Sequence, residues 1–260
     1  MIPRSSSVLA FGLLGALLVP SLLAQKPERR DVPTAAPAGP AKAGLTAEET
    51  RAGWKMLFDG KSLNGWRGYK KSDSAGTRWS VQDGVLTLAK NDGKDTHGSR
   101  DLISTETFDH FELAWEWRIA LGGNSGMKYF VLEDMDSAIG HEYQMIDDER
   151  HPDAKVGPKR QTSALYDVLA ASNRPLKPAG EWNLSRVSVR GMTVEHWLNG
   201  TKVLSYELGS PALKAAVAES KFKDVARFGT LQKGHILVQD HGDEVWYRSI
   251  KIRPLAAGTH

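Results

Sequence analysis

The sequence predicts an all-β fold from residue 45 onward, in the form of a large antiparallel sandwich or barrel. Three observations predict it. Apolar and polar residues alternate in short runs, which is the pattern of strands that bury one face. Turn dipeptides such as Asp83-Gly84, Arg190-Gly191 and Asn199-Gly200 separate several of these runs at hairpin distance. Helical patterns are confined to two short segments.

Two helices and ten strands are predicted along the domain. Thr46 and Glu49 have the spacing of a capping box, which predicts a short helix at the start. Ser210 and Pro211 precede an alanine-rich segment and predict a second helix, because Ser is a favoured N-cap and Pro is tolerated in the first turn. The predicted strands are Trp79–Val81, Val85–Leu88, Phe111–Ile119, Met127–Leu132, Glu142–Ile146, Leu184–Arg190, Thr193–Leu198, Lys202–Tyr206, His235–Gln239 and Val245–Ile252.

The N-terminal 44 residues have a different composition from the domain. Arg4 precedes an apolar stretch from Val8 to Ala24 that is interrupted by Pro20. This stretch predicts a secretory signal peptide over residues 1–24 rather than a membrane anchor, since a membrane span needs about 20 apolar residues. Residues 25–44 are rich in Pro and Ala and predict a disordered tether. We expect one domain over residues 45–256 and a flexible tail over residues 257–260.

Charge and cysteine content exclude several functions. The chain has 34 Lys and Arg against 31 Asp and Glu. Five of these basic and two of these acidic residues lie in residues 1–44, so the domain keeps 29 of each sign. A neutral domain lacks the basic surface of a nucleic-acid-binding protein. The chain has no Cys, which excludes thiolate metal sites and a lipid-modified Cys. We expect an exported protein, periplasmic or secreted, that is not a lipoprotein.

Two strands carry polar residues on one face. In the segment FELAWEWRI, Glu116 and Arg118 lie on the face opposite the apolar residues, where a curved sheet would place them in a groove. In the segment HILVQDHG, Gln239 and His241 share a polar face. Imidazole titrates near neutrality, so His241 is a candidate base. The glycine-rich loop at residues 122–126 matches no phosphate-binding motif and is interpreted as a hairpin turn.

The segment HEYQMIDDE holds the densest group of acids and amides. Glu142 and Gln144 lie on one strand face, and Asp147 and Asp148 follow at the strand end. The spacing of Glu142 and Asp147 is similar to that of retaining β-glucanases, whose two carboxylates converge to about 5–5.5 Å. Such a pair is one interpretation. The other is a solvated strand end, with or without a divalent cation bound to Glu142, Asp147 and Asp148.

Aromatic residues complete a pattern that is typical of carbohydrate-active proteins. The chain has eight Trp, all beyond residue 53. Most Trp side chains in proteins pack in the core, but some stack on the apolar faces of sugar rings. A neutral, Trp-rich sandwich with acids and amides on its strands therefore favours a carbohydrate ligand.

Seven segments, taken in order, resemble the 3-keto-disaccharide hydrolase domain family over about residues 52–254. They are LFDGKSLNGW (57–66), WEWRIALGGNSGMKY (115–129), HEYQMIDD (141–148), SALYD (163–167), GEWN (180–183), EHWLNG (195–200) and ILVQDHGDEVWYRSIKI (236–252). The resemblance implies a concanavalin A-like jelly-roll β-sandwich with one or two short helices. It also implies an enzyme that acts on glycosides already oxidised at C3 by a partner oxidoreductase.

The chemistry that the resemblance implies is an elimination followed by hydration. A ketone at C3 acidifies the C2 hydrogen, so a modest base can remove it. The enolate then expels the C1 substituent, and addition of water gives net hydrolysis. The reaction needs a base at C2, an electrophile at the C3 oxygen and a proton for the leaving group.

Twelve residues in the resembling motifs are candidates for these roles. Glu142 or His241 would be the base. Arg118, Lys128 or a divalent cation would polarise the ketone, and Asp147 is a further catalytic candidate. The residues expected to bind substrate are Glu116, Asn124, Lys128, Gln144, Tyr166, Asp167 and Gln239, and Asp148 completes the set as a cation ligand. The motifs establish no cofactor, and they leave open whether a divalent cation is required.

Two serines depart from the family pattern. Ser163 stands where the family's T-G-A-L-Y motif usually has Gly, and Ser249 stands where its R-N-I strand has Asn. Ser163 puts the substrate range in question. Two other functions stay open at this point: a conventional glycoside hydrolase that uses Glu142 and Asp147, and a non-catalytic carbohydrate-binding module. The glycoside, its linkage and the oligomeric state are also open.

Overall fold

Two antiparallel sheets packed face to face form the fold, which confirms the predicted all-β sandwich. The computed structural model describes residues 44–91 and 100–256, all of which belong to one compact unit, Pro37–His260. The predicted signal peptide, most of the tether and the C-terminal tail lie outside the described residues. Within the described ranges, no helix is both long and apolar enough to span a membrane.

The larger sheet has the strand order β11-β10-β9-β6-β13-β4-β3, with β1 paired to β13, and the smaller has the order β2-β5-β12-β7-β8. Both orders bring together strands that are distant in sequence, as in a jelly roll. The strands are β1 Lys55–Met56, β2 Trp66–Gly68, β3 Trp79–Gln82, β4 Val85–Leu88, β5 Leu102–Phe108, β6 Phe111–Ile119, β7 Asn124–Val131, β8 His141–Ile146, β9 Asn183–Arg190, β10 Thr193–Leu198, β11 Thr201–Glu207, β12 Gly234–Val238 and β13 Val245–Pro254.

Both predicted helices are confirmed together with their caps. Helix α1 is Ala47–Arg51, and Thr46 and Glu49 form the capping box. Helix α2 is Pro211–Ala218, and the Ser210 hydroxyl accepts a hydrogen bond from the backbone N–H of Leu213. The ten predicted strands are present, with ends that differ by up to three residues.

Three strands escape the sequence pattern. Strands β1 and β2 have two and three residues, which is too short for alternation to register. The first three residues of β5 are all buried, so its apolar residues do not alternate with polar ones. Alternation of apolar and polar residues reveals a strand only when one face of the strand is exposed to solvent.

The two sheets bury their facing side chains against each other. The apolar face of β6 predicted from the sequence lies in this core, where Trp115 packs edge-on against Tyr143 with ring centroids 5.0 Å apart. The Trp115 indole N–H also contacts the Met145 sulfur at 3.3 Å. These contacts join the larger sheet to β8 of the smaller sheet, so they fix the position of the strand that carries Glu142.

A chain of hydrogen bonds crosses this core. The backbone N–H of Gly229 donates to His141 Nε2 at 3.0 Å, so neutral His141 carries its proton on Nδ1. His141 Nδ1 therefore donates to the Tyr206 hydroxyl at 2.8 Å, and Tyr206 donates onward to the Tyr129 hydroxyl at 2.6 Å. The first half of the chain ties the loop at Gly229 to strands β7, β8 and β11.

The second half of the chain runs in the same direction. His196 Nδ1 donates to the carbonyl of Ser163 at 2.8 Å, because a carbonyl can only accept. His196 Nε2 therefore accepts from the Tyr129 hydroxyl at 2.8 Å. Every donor in the chain has one acceptor, and both imidazoles are neutral. The chain thus links the loop at Ser163 to the same strands as the loop at Gly229.

Candidate active site

A cavity of about 510 Å³ lies on the outer face of the smaller sheet. Its floor is formed by β7, β8 and the residues that follow β12, and its walls come from loops at residues 137–140, 166 and 221–225. A cavity of this size can hold a ligand as large as a disaccharide. Among the predicted site residues, it is lined by Asn124, Lys128, Glu142, Gln144, Tyr166, Gln239 and His241.

The period of a β-strand selects the residues on the floor. On β7, Asn124 and Lys128 face the cavity, while Tyr129 faces the core. On β8, Glu142 and Gln144 face the cavity for the same reason. The antiparallel register pairs Lys128 with Glu142, so the acid and the amine lie side by side at the centre of the floor.

Gly126 makes room for the Glu142 carboxylate. Gly126 pairs with Gln144, next to Glu142, on the cavity face of β7. A Cβ atom at Gly126 would lie 2.5 Å from Glu142 Oε1, so the carboxylate would have to move from this position. The glycine-rich loop predicted as a hairpin turn therefore also contains a strand residue whose missing side chain shapes the site.

Glu142 is a buried acid with an incomplete ion pair. Its residue is 6% exposed, and Lys128 Nζ lies 3.8 Å from its Oε2. Burial raises the pKa of Glu142, and the positive charges of Lys128 and Lys221 oppose this rise. Lys128 Nζ donates a hydrogen bond to the Ala138 carbonyl at 3.1 Å, which holds the amine in place. The pair combines a strengthened base with a fixed cation.

Amide groups beside this pair have unused hydrogen-bonding capacity. Asn124 Oδ1 and Gln239 Oε1 are buried, and neither accepts a hydrogen bond from any described residue. Gln144 Oε1 accepts from the Met145 backbone N–H at 3.1 Å, which leaves the Gln144 NH₂ group as a donor. Since buried polar atoms are rarely left without partners, these amides indicate a ligand that is rich in hydroxyl groups.

Tyr166 and Asp167 lie in one loop but have different surroundings. The Tyr166 hydroxyl donates to Asp153 at 2.8 Å, and its ring lines the cavity. Asp167 lies outside the cavity lining and is held by Arg160 at 2.7 Å. Asp167 also accepts the backbone N–H of Lys221 at 2.8 Å. Asp167 thus fixes the wall of the site rather than its floor.

Several cavity residues have no signal in the sequence. Lys221, Phe222 and Val225 follow helix α2, and Lys221 Nζ lies 4.1 Å from the centroid of the Tyr166 ring. Asp101 and Asp240 lie where β5 begins and β12 ends, and they are joined by a hydrogen bond of 2.8 Å. Contacts between segments this far apart in the chain have no local pattern that would reveal them.

Glu116 and Arg118 lie on the other sheet, outside this cavity. Strand β6 pairs with β9 and β13 of the larger sheet, so its polar face is the outer face of that sheet. There the Arg118 guanidinium lies 4.1 Å from the Trp246 ring centroid, and Glu116 pairs with Arg248 at 2.7 Å. The groove expected on this face is replaced by a layer of stacked cations and indoles.

Asp147 and Asp148 also lie outside the cavity. Backbone N–H groups of Gly122 and Glu149 donate to Asp147 at 2.8 and 3.0 Å. Although burial opposes the change, these bonds and Arg150 lower the pKa of Asp147. Asp148 pairs with Arg174. The register of β7 and β8 is continuous from Asn124 to Tyr129, with no bulge to turn Asp147 toward Glu142.

The three acids expected to bind a cation therefore do not converge. Among the described residues, the group with metal-ligand spacing is His151, His241 and Asp243, whose ligand atoms lie within 4.8 Å of one another. His151 Nδ1 accepts the Asp153 backbone N–H at 3.1 Å, so neutral His151 carries its proton on Nε2, 4.0 Å from Asp243. A cation needs a lone pair at that nitrogen. The trio in this arrangement does not fit a cation.

The two departing serines adopt left-handed backbone conformations. Ser163 has φ of 69° and Ser249 has φ of 53°, a region that Gly and Asn enter more easily than Ser. Ser163 is fully buried, and its hydroxyl lies 2.7 Å from the Tyr143 hydroxyl, outside the cavity. The Ser249 hydroxyl is buried and has no partner among the described residues.

Comparison with known proteins gives concordant results. Residues 53–253 match the sequence profile of the 3-keto-alpha-glucoside-1,2-lyase-like domain. The chain is 37% identical over 230 residues to a 3-keto-disaccharide hydrolase of Bacteroides thetaiotaomicron, an alignment that covers 78% of this chain and 79% of that protein.

Two solved structures from Parabacteroides distasonis, both of proposed glycosyl hydrolases, share the architecture. The first is 32% identical, with a TM-score of 0.74, and covers 82% of this chain and 99% of its own. The second is 27% identical, with a TM-score of 0.61, and covers 78% of this chain and 99% of its own.

Proposed function

The chain belongs to the 3-keto-alpha-glucoside-1,2-lyase-like domain family and is a glycosidase-like hydrolase, and from this premise we propose that it cleaves 3-keto-glycosides by elimination and hydration. The observation that carries the proposal is the placement of Glu142 and Lys128 side by side in the cavity. A base and a cation 3.8 Å apart can contact the C2 hydrogen and the C3 oxygen of one sugar ring together, since these atoms are on neighbouring carbons.

Glu142 is the base in the proposed mechanism. Its raised pKa makes its carboxylate a stronger base than an exposed one. The carboxylate removes the C2 proton, and the electron pair of the broken C–H bond moves to the C3 oxygen. The Lys128 ammonium stabilises the negative charge that develops there. Arg118, the other candidate for this role, lies on the opposite sheet.

The second half of the mechanism releases the leaving group. The enolate re-forms the ketone as the C1–O bond breaks, and protonated Glu142 gives its proton to the departing oxygen. Water then adds to the resulting enone at C1 while C2 regains a proton. The sum is one glycoside and one water converted into 3-keto-sugar and alcohol.

Hydroxyl recognition is assigned to the amides. Asn124 Oδ1 and Gln239 Oε1 would accept from substrate hydroxyls, and the Gln144 NH₂ group would donate to one. His241 lines the same end of the cavity and is assigned to a hydroxyl rather than to C2, because it is exposed, whereas Glu142 is buried beside Lys128. No step requires a metal ion.

The wider context of the reaction is also a proposal. A 3-keto-glycoside must be made by an oxidoreductase that removes hydride from C3, so such an enzyme is the expected functional partner. The predicted signal peptide, which lies outside the described residues, would place the reaction outside the cytoplasm.

The test is a comparison of one disaccharide with its 3-keto derivative in deuterated water. We expect release of 3-keto-glucose from the oxidised compound alone, with deuterium at C2 of the product above the exchange of an enzyme-free blank. Failure to release 3-keto-glucose would overturn the proposed activity. Release without deuterium would overturn the elimination route, and cleavage of the parent would favour a conventional hydrolase.

A further inference from the structure

The cavity has two ends that differ in chemistry, and strand register defines them. Gln144 is paired with Gly126, and Asn124 is paired with Ile146 at the far end of β8. The Gln239 backbone N–H donates to the Gly126 carbonyl at 3.0 Å, which places Gln239 at this end too. The end with these amides is here called the amide end. The Lys128–Glu142 pair lies between it and the start of β8.

The opposite end is apolar. It is formed where residues 137–140 enter β8 and where the segment after helix α2 crosses them. Ala138, Ile139, Phe222 and Val225 line the cavity here. Ile139 and Val225 also line a second, small cavity beside His141, so the two segments lie close together at this end. This end is here called the apolar end.

The wall of the apolar end is held in a fixed position. The Phe222 ring stacks on the Phe228 ring with centroids 4.3 Å apart and an interplanar angle of 7°. Phe228 in turn packs on the His141 ring at 4.7 Å. The Gly229 hydrogen bond to His141 Nε2 anchors the same loop to the core. Phe222 is 7% exposed and presents a preformed apolar surface.

Polar groups are fewer at the apolar end than at the amide end. The Ala138 carbonyl accepts from Lys128 Nζ at 3.1 Å. Lys221 Nζ lies over two aromatic rings, 4.1 Å from the Tyr166 centroid and 5.0 Å from the Phe222 centroid. A second sugar at this end would lose water from its hydroxyls and meet the side chains of Ser137 and Lys221 in place of the several amides and acids of the other end, which costs affinity.

We propose that the apolar end is the leaving-group site and takes an aromatic or alicyclic aglycone in preference to a second sugar. This inference rests on the proposed function, because it places the reacting 3-keto ring between the Lys128–Glu142 pair and the amide end. The ring then has its hydroxyls among the amides, and its C1 substituent points past Glu142 toward Phe222 and Ile139. The inference extends the substrate class from disaccharides to glycosides of apolar alcohols.

The test compares the methyl, benzyl and glucosyl 3-keto-glucosides, each as its α and its β anomer, with the wild-type protein, and KM values are compared between substrates of the same anomer. Methanol and benzyl alcohol have similar acidities, so the first two substrates differ in apolar area and not in leaving-group quality. We expect a KM for the benzyl compound about tenfold or more below that for the methyl compound, because a phenyl ring is buried. The glucosyl compound should have a KM no lower than the methyl compound.

Two variants locate the effect. Phe222→Ala should reduce the benzyl-to-methyl advantage in KM severalfold. Val225→Asn, which leaves the Phe222 stack intact, should reduce it also, and Val81→Asn, at a half-buried position outside the cavity, should not. Each variant is judged by the ratio of its own two KM values, so a loss of total activity does not obscure the result.

The outcomes separate the two proposals. If none of the three 3-keto-glycosides is cleaved, the proposed function is overturned. If they are cleaved with equal KM values for the methyl and benzyl compounds, the proposed function stands and the aglycone site is overturned. A tighter KM for the glucosyl compound than for the benzyl compound would overturn it as well.

Discussion

The two faces of the smaller sheet carry polar residues of similar type, but only those of the inner face have all their hydrogen-bond partners within the protein. On the inner face, His141 and Tyr129 belong to a chain in which each donor has an acceptor. On the outer face of the same two strands, Glu142 has only a long contact with Lys128, and Asn124 Oδ1 has no donor among the described residues. Residues that are adjacent in sequence therefore differ: those on the inner face have complete hydrogen bonding, and those on the outer face do not.

The difference teaches how to distinguish structural from functional polar residues. A satisfied buried network rigidifies the core and has nothing left to offer a ligand. An incomplete one costs stability until a ligand completes it, which is the condition of a binding site. Substitutions on the inner face should therefore reduce stability, and those on the outer face should reduce activity alone.

The largest expected effect is on activity. Glu142→Gln should lower kcat about 10³-fold, because it removes the base. It should leave the free energy of unfolding unchanged or higher, since a buried carboxylate with one distant cation is replaced by a neutral group. Glu116→Gln, in an ion pair on the opposite sheet, is the matched control for activity. A stability loss in Glu142→Gln would contradict the division between the faces.

The next effect is the acid sensitivity of the inner face. Burial lowers the pKa of His141 to about 3 and that of His196 to about 4, from 6.5. Below pH 6.5 the unfolded protein takes up protons at these imidazoles and the folded protein does not. Stability therefore falls as the pH is lowered, until the folded pKa values are reached. Each imidazole contributes about 1.4 kcal/mol per pH unit.

Urea unfolding of the Glu142→Gln variant between pH 6.5 and 5 checks this prediction, because the substitution removes the buried carboxyl group whose raised pKa would oppose the trend. The free energy of unfolding should fall by about 2–4 kcal/mol across the window if both imidazoles contribute. His241→Gln, which removes an exposed imidazole on the outer face, should retain the dependence. A free energy of unfolding that does not change with pH would show that His141 and His196 take up protons in the folded protein, which would contradict the prediction.

A smaller effect is expected when the buried chain of hydrogen bonds is interrupted at its middle residue, Tyr129. Tyr129→Phe leaves His196 Nε2 without a donor and the Tyr206 hydroxyl without an acceptor. The loss of stability should be about 1–3 kcal/mol. Tyr166→Phe on the cavity side should cost less than about 1 kcal/mol, because its acceptor Asp153 keeps Arg160. Equal losses in chemical denaturation would remove the distinction between the faces.

The smallest effect is a gain, at a site on neither face of the smaller sheet. Ser249 lies where the register of β13 shifts against β6, with φ of 53° and a buried hydroxyl that lacks a partner among the described residues. Ser249→Gly should raise stability by about 1 kcal/mol, since glycine enters this region without strain. Ser80→Gly, on the exposed side of β3, should lower it by about 0.5–1 kcal/mol. Thermal unfolding of both variants measures the contrast.

Much of the fold follows from local patterns. The capping box at Thr46, the N-cap at Ser210 and ten alternating strands are confirmed, because each depends on a few neighbouring residues. Alternation also assigned Glu142 and Gln144 to one face of β8. It did not detect β5, whose first residues are buried on both faces.

The candidate site was only partly accessible to the same reasoning. Asn124, Lys128 and Gln239 line one cavity with Glu142, in agreement with the motifs that contain them. Glu116 and Arg118 have equally suggestive neighbours in sequence, yet β6 pairs into the other sheet. Phe222 and Val225 follow a surface helix, and nothing in that segment indicates a cavity wall.

The sequence by itself determined which residues share a strand face, because side chains alternate with a period of two wherever a strand forms. It also determined the family, through ordered motifs over residues 53–253. The tertiary structure decided which faces meet: Lys128 beside Glu142, Arg118 against Trp246, and Phe222 opposite the amides. Strand order is set by pairing between distant segments, and no local pattern encodes which partner each strand finds.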